Sequence, residues 1–243
     1  MKRYIPNTIT CCNLVCGCIA TVCAISGSPV MALLFIILGA VFDFFDGMSA
    51  RLLHVSSDIG KELDSLADNI TFGMAPASII FYELRVVDYP DAVEFLRPVI
   101  PYFAYVVSAF SALRLAKFNL DARQSTSFIG LPTPANALFW GSFIVGFGQL
   151  LEPYAFFMPL LLLGVVVSSW LLVAEIPMFA LKFKYWSFAG NEIKYLFAAF
   201  SAVMIVATVT VGCMMEEYNL CYSGFSVIIL AYILVSVARR PGQ

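Results

Sequence analysis

What this sequence has little of is charge. Only 12% of its 243 residues are Asp, Glu, Lys or Arg, while 61% are hydrophobic, against roughly a quarter charged in a soluble domain. That shortage excludes water as the solvent for most of the chain. A basic excess is missing too. The formal net charge is −2, which argues against a nucleic-acid partner, because displacing phosphate counterions needs a basic face. Histidine occurs once, as His54, so there is no His/Cys spacing for a zinc site. Of the seven cysteines, Cys11, Cys12, Cys16, Cys18 and Cys23 fall in one apolar stretch, where thiols pack as small apolar groups. Cys213 and Cys221 make only a weak pair for a bridge. Repeats, low-complexity tracts and long linkers are absent, so a single domain, 1–243, is expected.

What is present is apolar length. A helix crossing hydrocarbon needs about 20 mostly apolar residues, because its backbone can be satisfied only internally there. That yardstick predicts an all-α, polytopic transmembrane bundle of about eight spans, near 5–26, 29–53, 62–82, 98–119, 134–151, 154–181, 193–215 and 222–238. Lys2 and Arg3 before an apolar run outline a signal peptide, but no small-residue cleavage site precedes a soluble domain, so a first transmembrane helix is expected. Loops rich in Lys and Arg stay in the cytoplasm. With both termini there, Lys2, Arg3, Arg51, Lys61, Arg114, Lys117, Arg123, Lys182, Lys184, Lys194, Arg239 and Arg240 fall inside, and only Arg85 and Arg97 outside.

The second span ends, and the third begins, in carboxylates. Asp43 and Asp46 are three apart, and Asp64 and Asp68 four apart, so each pair shares a helix face. A short turn joins the two helices, which should pack antiparallel and bring the pairs together. Four uncompensated carboxylates in that volume repel one another, and a divalent cation resolves the repulsion. Oxygen-only ligands favour hard ions: Mg²⁺ first, then Mn²⁺, with Ca²⁺ possible, and two ions suit four carboxylates better than one. Gly47, Ala50 and Gly60 clear the same faces and allow a ligand close to the backbone. Taken singly, each small residue is equally explained by helix packing, and each carboxylate by snorkelling to water.

The pattern Asp-x2-Asp-Gly-x2-Ala-Arg, eight residues, then Gly-x3-Asp-x3-Asp, running over 43–68, resembles the signature of the CDP-alcohol phosphatidyltransferase family. The resemblance implies a binuclear metal site holding the diphosphate of a CDP-linked lipid, phosphoryl transfer to an alcohol, release of CMP, and a homodimer. It makes Asp43, Asp46, Asp64 and Asp68 metal ligands, with Asp68 also the base for the attacking hydroxyl. Gly47, Ala50, Arg51 and Gly60 would border the CDP-lipid. A diphosphate with acyl chains on one side and a nucleotide on the other lies at headgroup level. That suits helix ends at the cytoplasmic face of the cell membrane.

The opening Ile5-Pro6-Asn7-Thr8-Ile9-Thr10, the segment Arg114-Leu115-Ala116-Lys117-Phe118-Asn119 and the run Gly130-Leu131-Pro132-Thr133-Pro134 look like the phosphatidylserine synthase branch of that family. This implies CDP-diacylglycerol as donor and L-serine as acceptor, with phosphatidylserine and CMP as products. Arg114, Lys117 and Arg123 are the cations offered to the serine carboxylate, though charges that merely set topology would look the same. Asn7 and Thr10 are offered to the CDP-lipid, with helix capping or interhelical hydrogen bonding as the alternative. His54 is expected to be a solvated loop residue, and Glu175 to pair with Lys182 or Lys184 without a catalytic role. Two other functions stay open. A sister enzyme taking glycerol 3-phosphate or an inositol phosphate would want a denser basic pocket. A cation transporter would carry its acids near the bilayer midplane, with repeats.

Overall fold

The computed structural model describes residues 4–55, 57–121, 128–178 and 191–238. Within them it is a helical bundle with one two-residue antiparallel ladder. The order is α1 (Tyr4–Ile25), α2 (Pro29–Leu52), α3 (Asp58–Asp68), a π-helical turn (Asn69–Met74), α4 (Ala75–Val86), two 3₁₀ turns (Asp91–Leu96 and Ile100–Tyr105), α5 (Val106–Leu120), β1 (Phe128–Ile129), α6 (Thr133–Leu151), α7 (Phe157–Val173), β2 (Pro177–Met178), α8 (Glu192–Met214), a 3₁₀ turn (Tyr218–Tyr222) and α9 (Ser223–Ala238). The ladder pairs Phe128 with Met178 and Ile129 with Pro177.

Among the described residues, four stretches are long and apolar enough to cross a membrane: α1, α2, α8 and Tyr218–Ala238. The chain is a membrane protein. Against the eight expected spans, the third is a continuous helical stretch in which α3, the π turn and α4 follow one another without a gap, with the polar motif at its start. The fourth opens in 3₁₀ turns, and the sixth shortens to Phe157–Val173 where the backbone leaves the helix for the ladder.

Helix α4 is the axis of the bundle, with nine of its 12 residues buried. Ile79, Ile80 and Leu84 on α4 pack with Ala20 and Ala24 of α1, Ile36 of α2, Trp140 and Ile144 of α6, and Phe157 and Leu161 of α7. The Trp140 indole N–H donates to Ser168 Oγ at 3.1 Å, so its one polar atom is satisfied inside that core. Helix α1 reaches the π turn closely: a Cβ on Gly17 would stand 2.8 Å from Thr71 Cα, and Thr71 Oγ1 donates to the Asn13 carbonyl at 3.0 Å. This contact fixes α1 beside the polar end of α3.

The charges divide between the two ends of the bundle. Asp88 donates its backbone N–H to the Glu152 carbonyl, and Asn219 donates to Gln149, which gathers the α4–3₁₀, α6–α7 and α8–α9 connections at one end. Arg97 sits there, paired with Glu94 at 2.7 Å and stacked on Tyr89. Lys61 bridges to Asn119 at the other end, beside the aspartates. Cys213 and Cys221 are free thiols, so the weak expectation of a bridge is not met.

Candidate active site

Helix α2 delivers Asp43 and Asp46 on successive turns, and α3 delivers Asp64 and Asp68. Ser57 caps α3, its Oγ accepting from the Gly60 N–H at 3.0 Å, which fixes the start of that helix. The left-handed φ of 51° at His54 turns the chain between the two helices, and its side chain is exposed. Oxygens of Asp43, Asp64 and Asp68 lie within 4.8 Å of one another, a set able to hold a metal ion. The chemistry of that donor set is uniform: hard carboxylate oxygen with no sulfur or imidazole, which fits a divalent cation of the Mg²⁺ or Mn²⁺ type.

Asp46 stands apart from this trio. It is buried, and its Oδ2 accepts from Thr10 Oγ1 at 2.6 Å. Its charge still repels those of Asp43, Asp64 and Asp68. Asp68 is held from the same helix, because Asn13 Nδ2 donates to Asp68 Oδ1 at 3.1 Å and Asn13 is fully buried. Asn7, Thr10 and Asn13 recur every third residue on α1, so one face of that helix serves both aspartate-bearing helices. Asn13 escaped sequence reasoning although its spacing from Thr10 was a usable signal.

A cavity of about 220 Å³ opens beside the cluster, lined by Asn7, Thr10, Asp46, Gly47, Ala50 and Gly60 among others, with Lys61 and Asp64 at its edge. A Cβ on Gly47 would meet nothing within 4 Å, so the missing side chain is empty space inside the cavity and not a packing contact. Gly60 differs: a Cβ there would come within 2.9 Å of Ser57 Oγ and 3.1 Å of Asn7 Oδ1. Arg51, expected at the CDP-lipid, is not among the lining residues. It is exposed and folds back to donate Nε–H to the Gly47 carbonyl at 2.9 Å, the acceptor nearest along its own helix.

A second cavity, of about 420 Å³, lies between the C-terminal ends of α5 and α7 and is lined by Arg114, Lys117, Asp121 and Glu175 among others. Arg114 is buried, and its charge interacts with that of Asp68. Arg114 Nη1 donates to Thr133 Oγ1 at 3.4 Å, and Asn119 Nδ2 to Ser65 Oγ at 2.8 Å. Helix α5 is thereby tied to both α6 and α3. Arg123, Lys182 and Lys184 lie outside the described residues.

The profile of the CDP-alcohol phosphatidyltransferase family matches residues 3–239. The chain belongs to this family. Among its relatives is a CDP-diacylglycerol–serine O-phosphatidyltransferase of Bacillus subtilis, 38% identical over 174 residues, which are 72% of this chain and 89% of the relative. Enzymes of the same name from Helicobacter pylori and Methanocaldococcus jannaschii are 38% and 37% identical over 135 and 119 residues. Those matches take in 55% and 49% of this phosphatidyltransferase-family chain but only 54% and 51% of the relatives, about half their length.

Proposed function

We propose that this chain transfers the phosphatidyl group of CDP-diacylglycerol to L-serine, giving phosphatidylserine and CMP. The observation that carries the reading is the convergence of Asp43, Asp64 and Asp68 within 4.8 Å beside a cavity whose wall is cleared at Gly47. Family membership and the names of the relatives support the donor and the acceptor.

In this reading the first cavity takes the cytidine diphosphate, with Asn7, Thr10, Gly47, Ala50 and Gly60 at its wall and Arg51 at its mouth. Asp43, Asp46, Asp64 and Asp68 hold Mg²⁺ or Mn²⁺, two ions in preference to one and Ca²⁺ less suited, and the bound cations supply neutralisation of the diphosphate and of the departing phosphate. Asp68 accepts the proton of the serine hydroxyl as its oxygen attacks the phosphatidyl phosphorus; the bond from phosphorus to the CMP oxygen breaks, and CMP leaves. Asn13 donates to Oδ1 of Asp68 and so orients its carboxylate. Thr10 fixes the Asp46 carboxylate. Arg114 and Lys117, together with Arg123, receive the serine carboxylate.

The rest of the proposal is topological. One membrane domain of about eight spans, with both termini in the cytoplasm, puts the aspartate end at the cytoplasmic face of the cell membrane and the Arg97 end outside. The working unit is a homodimer embedded in lipid. The test is incubation of the purified protein with CDP-diacylglycerol, Mg²⁺ or Mn²⁺ and a panel of alcohols, reading CMP and the lipid product. Phosphatidylserine formed only with serine is the expected result; transfer to glycerol 3-phosphate or an inositol phosphate instead would overturn the acceptor.

A further inference from the structure

Directly beneath the aspartates, three helices close on one buried threonine. Thr71 is fully enclosed and stands three residues after Asp68, inside the π turn. The change of helix type is abrupt there: the Asn69 N–H donates to the Ser65 carbonyl four residues back, while the Ala75 N–H donates to the Ile70 carbonyl five back. A π turn is rare and recurs at functional sites, so what holds this one in place bears on the site.

Glycine holds it, on several sides. A Cβ on Gly17 of α1 would come 2.8 Å from Thr71 Cα, and one on Gly39 of α2 would come 2.5 Å from Thr71 Cγ2 and 2.9 Å from Asn13 Oδ1. A Cβ on Gly73, within the turn, would come 3.1 Å from Ser111 Cβ of α5. With those side chains missing, α1, α2 and α5 approach the turn closely, as small residues allow between membrane helices. The Thr71 hydroxyl then donates to the Asn13 carbonyl at 3.0 Å, and Asn13, itself fully buried, donates from Nδ2 to Asp68 Oδ1 at 3.1 Å.

The place of these contacts gives them a task. Gly39 lies four residues before Asp43, so the two share a face of α2. The Thr71 methyl against Gly39 therefore sets how near α2 comes to the end of α3, one turn beneath Asp43, Asp64 and Asp68. None of Asn13, Gly39 and Thr71 is among the residues lining the first cavity, so their route to the site runs through the aspartates. A cation held by side chains of two helices needs its ligand distances right to about 0.2 Å, and residues that orient the ligands are worth roughly 10–100-fold in metal affinity or activity.

We propose that Thr71 is a positioning residue for the cation site: its methyl gauges the approach of α2 to the π turn, and its hydroxyl, through Asn13, aims the Asp68 carboxylate. This rests on the metal-assisted transfer reading above and deepens it, assigning the geometry of the aspartates to a residue outside the donor cavity.

The test uses the full chain in lipid nanodiscs with two readouts, Mn²⁺ binding followed by electron paramagnetic resonance and CMP release from CDP-diacylglycerol and L-serine. Thr71→Val keeps the methyl and loses the hydroxyl. It should weaken Mn²⁺ binding and lower kcat at saturating Mn²⁺ by about tenfold or more, with KM for both substrates within about twofold. Thr71→Ser keeps the hydroxyl and should bring kcat back to within about threefold of wild type. Asn13→Ala should reproduce the Thr71→Val pattern, and the double variant should lose little more than either single one, because both changes break the same chain of contacts. Unchanged Mn²⁺ binding and kcat in Thr71→Val overturn the proposal. So do losses that multiply in the double variant, or equal losses in the Val and Ser variants with a lower melting temperature, which is what a merely structural residue gives. If Thr71→Val yields no folded protein, Asn13→Ala decides: weakened Mn²⁺ binding there, with Thr71→Ser near wild type, supports the proposal, and normal binding overturns it. A wild-type protein that binds Mn²⁺ but releases no CMP with serine sinks the functional reading instead, and the Mn²⁺ titrations of the variants, which need no acceptor, still decide the role of Thr71.

Discussion

The two ends of the chain use apolar helices in opposite ways. Helices α1 to α4 bury small and polar residues against one another, with Asn13, Asp46, Thr71 and Ser78 all enclosed. In α8 the single buried residue is Gly212, while Leu196, Val203, Val206 and Met214 are 71%, 64%, 66% and 80% exposed. Both stretches have similar hydropathy, 2.0 for α1 and 2.2 for α8. Hydropathy alone therefore does not tell a helix packed within the described bundle from one left exposed on it. In lipid there is no hydrophobic gain from helix contact, so close packing and interhelical hydrogen bonds hold the first group together.

Substitutions on the two sides of that comparison should differ in kind as well as size. The largest effect is expected at Asp68: Asp68→Asn should cut turnover by about 10²–10⁴-fold by removing the base, while CDP-diacylglycerol binding, read by equilibrium dialysis, persists. Near-normal turnover would remove Asp68 from that role. Next come two glycines of the first group. Gly17→Ala drives a methyl into the Thr71 backbone and should destabilise by about 1–3 kcal/mol, seen as a lower melting temperature in detergent. Gly47→Ala places its methyl in open cavity, so melting should hold and KM for CDP-diacylglycerol should rise. If the two glycines exchange these behaviours, the distinction between packing face and ligand face fails. The smallest effect belongs to α8, where Val203→Ala should change stability by less than about 0.5 kcal/mol.

Much of this was legible in the residues, for reasons that can be named. Helical spacing put Asp43 with Asp46 and Asp64 with Asp68 on common faces, and the structure brings three of the four together. Asp46 was not separable in advance, because its partner, Thr10, comes from a helix 36 positions earlier and the rotation of α1 decides the contact. Arg51, expected at the ligand, donates to a carbonyl one turn back on its own helix, a contact that spacing alone does not foretell. Glu175 was expected to pair with Lys182 or Lys184, both of which lie outside the described residues. Of the eight spans expected, four are long, apolar helical stretches among the described residues; composition alone is blind to the changes of helix type along the others.

The measurement that bears most directly on the site is a Mn²⁺ titration of the purified protein followed by electron paramagnetic resonance, with and without CDP. Wild type should bind Mn²⁺ more tightly when CDP is present, and Asp64→Asn should lose most of that binding. Identical titrations for the two proteins would contradict a cation held between the aspartates of α2 and α3.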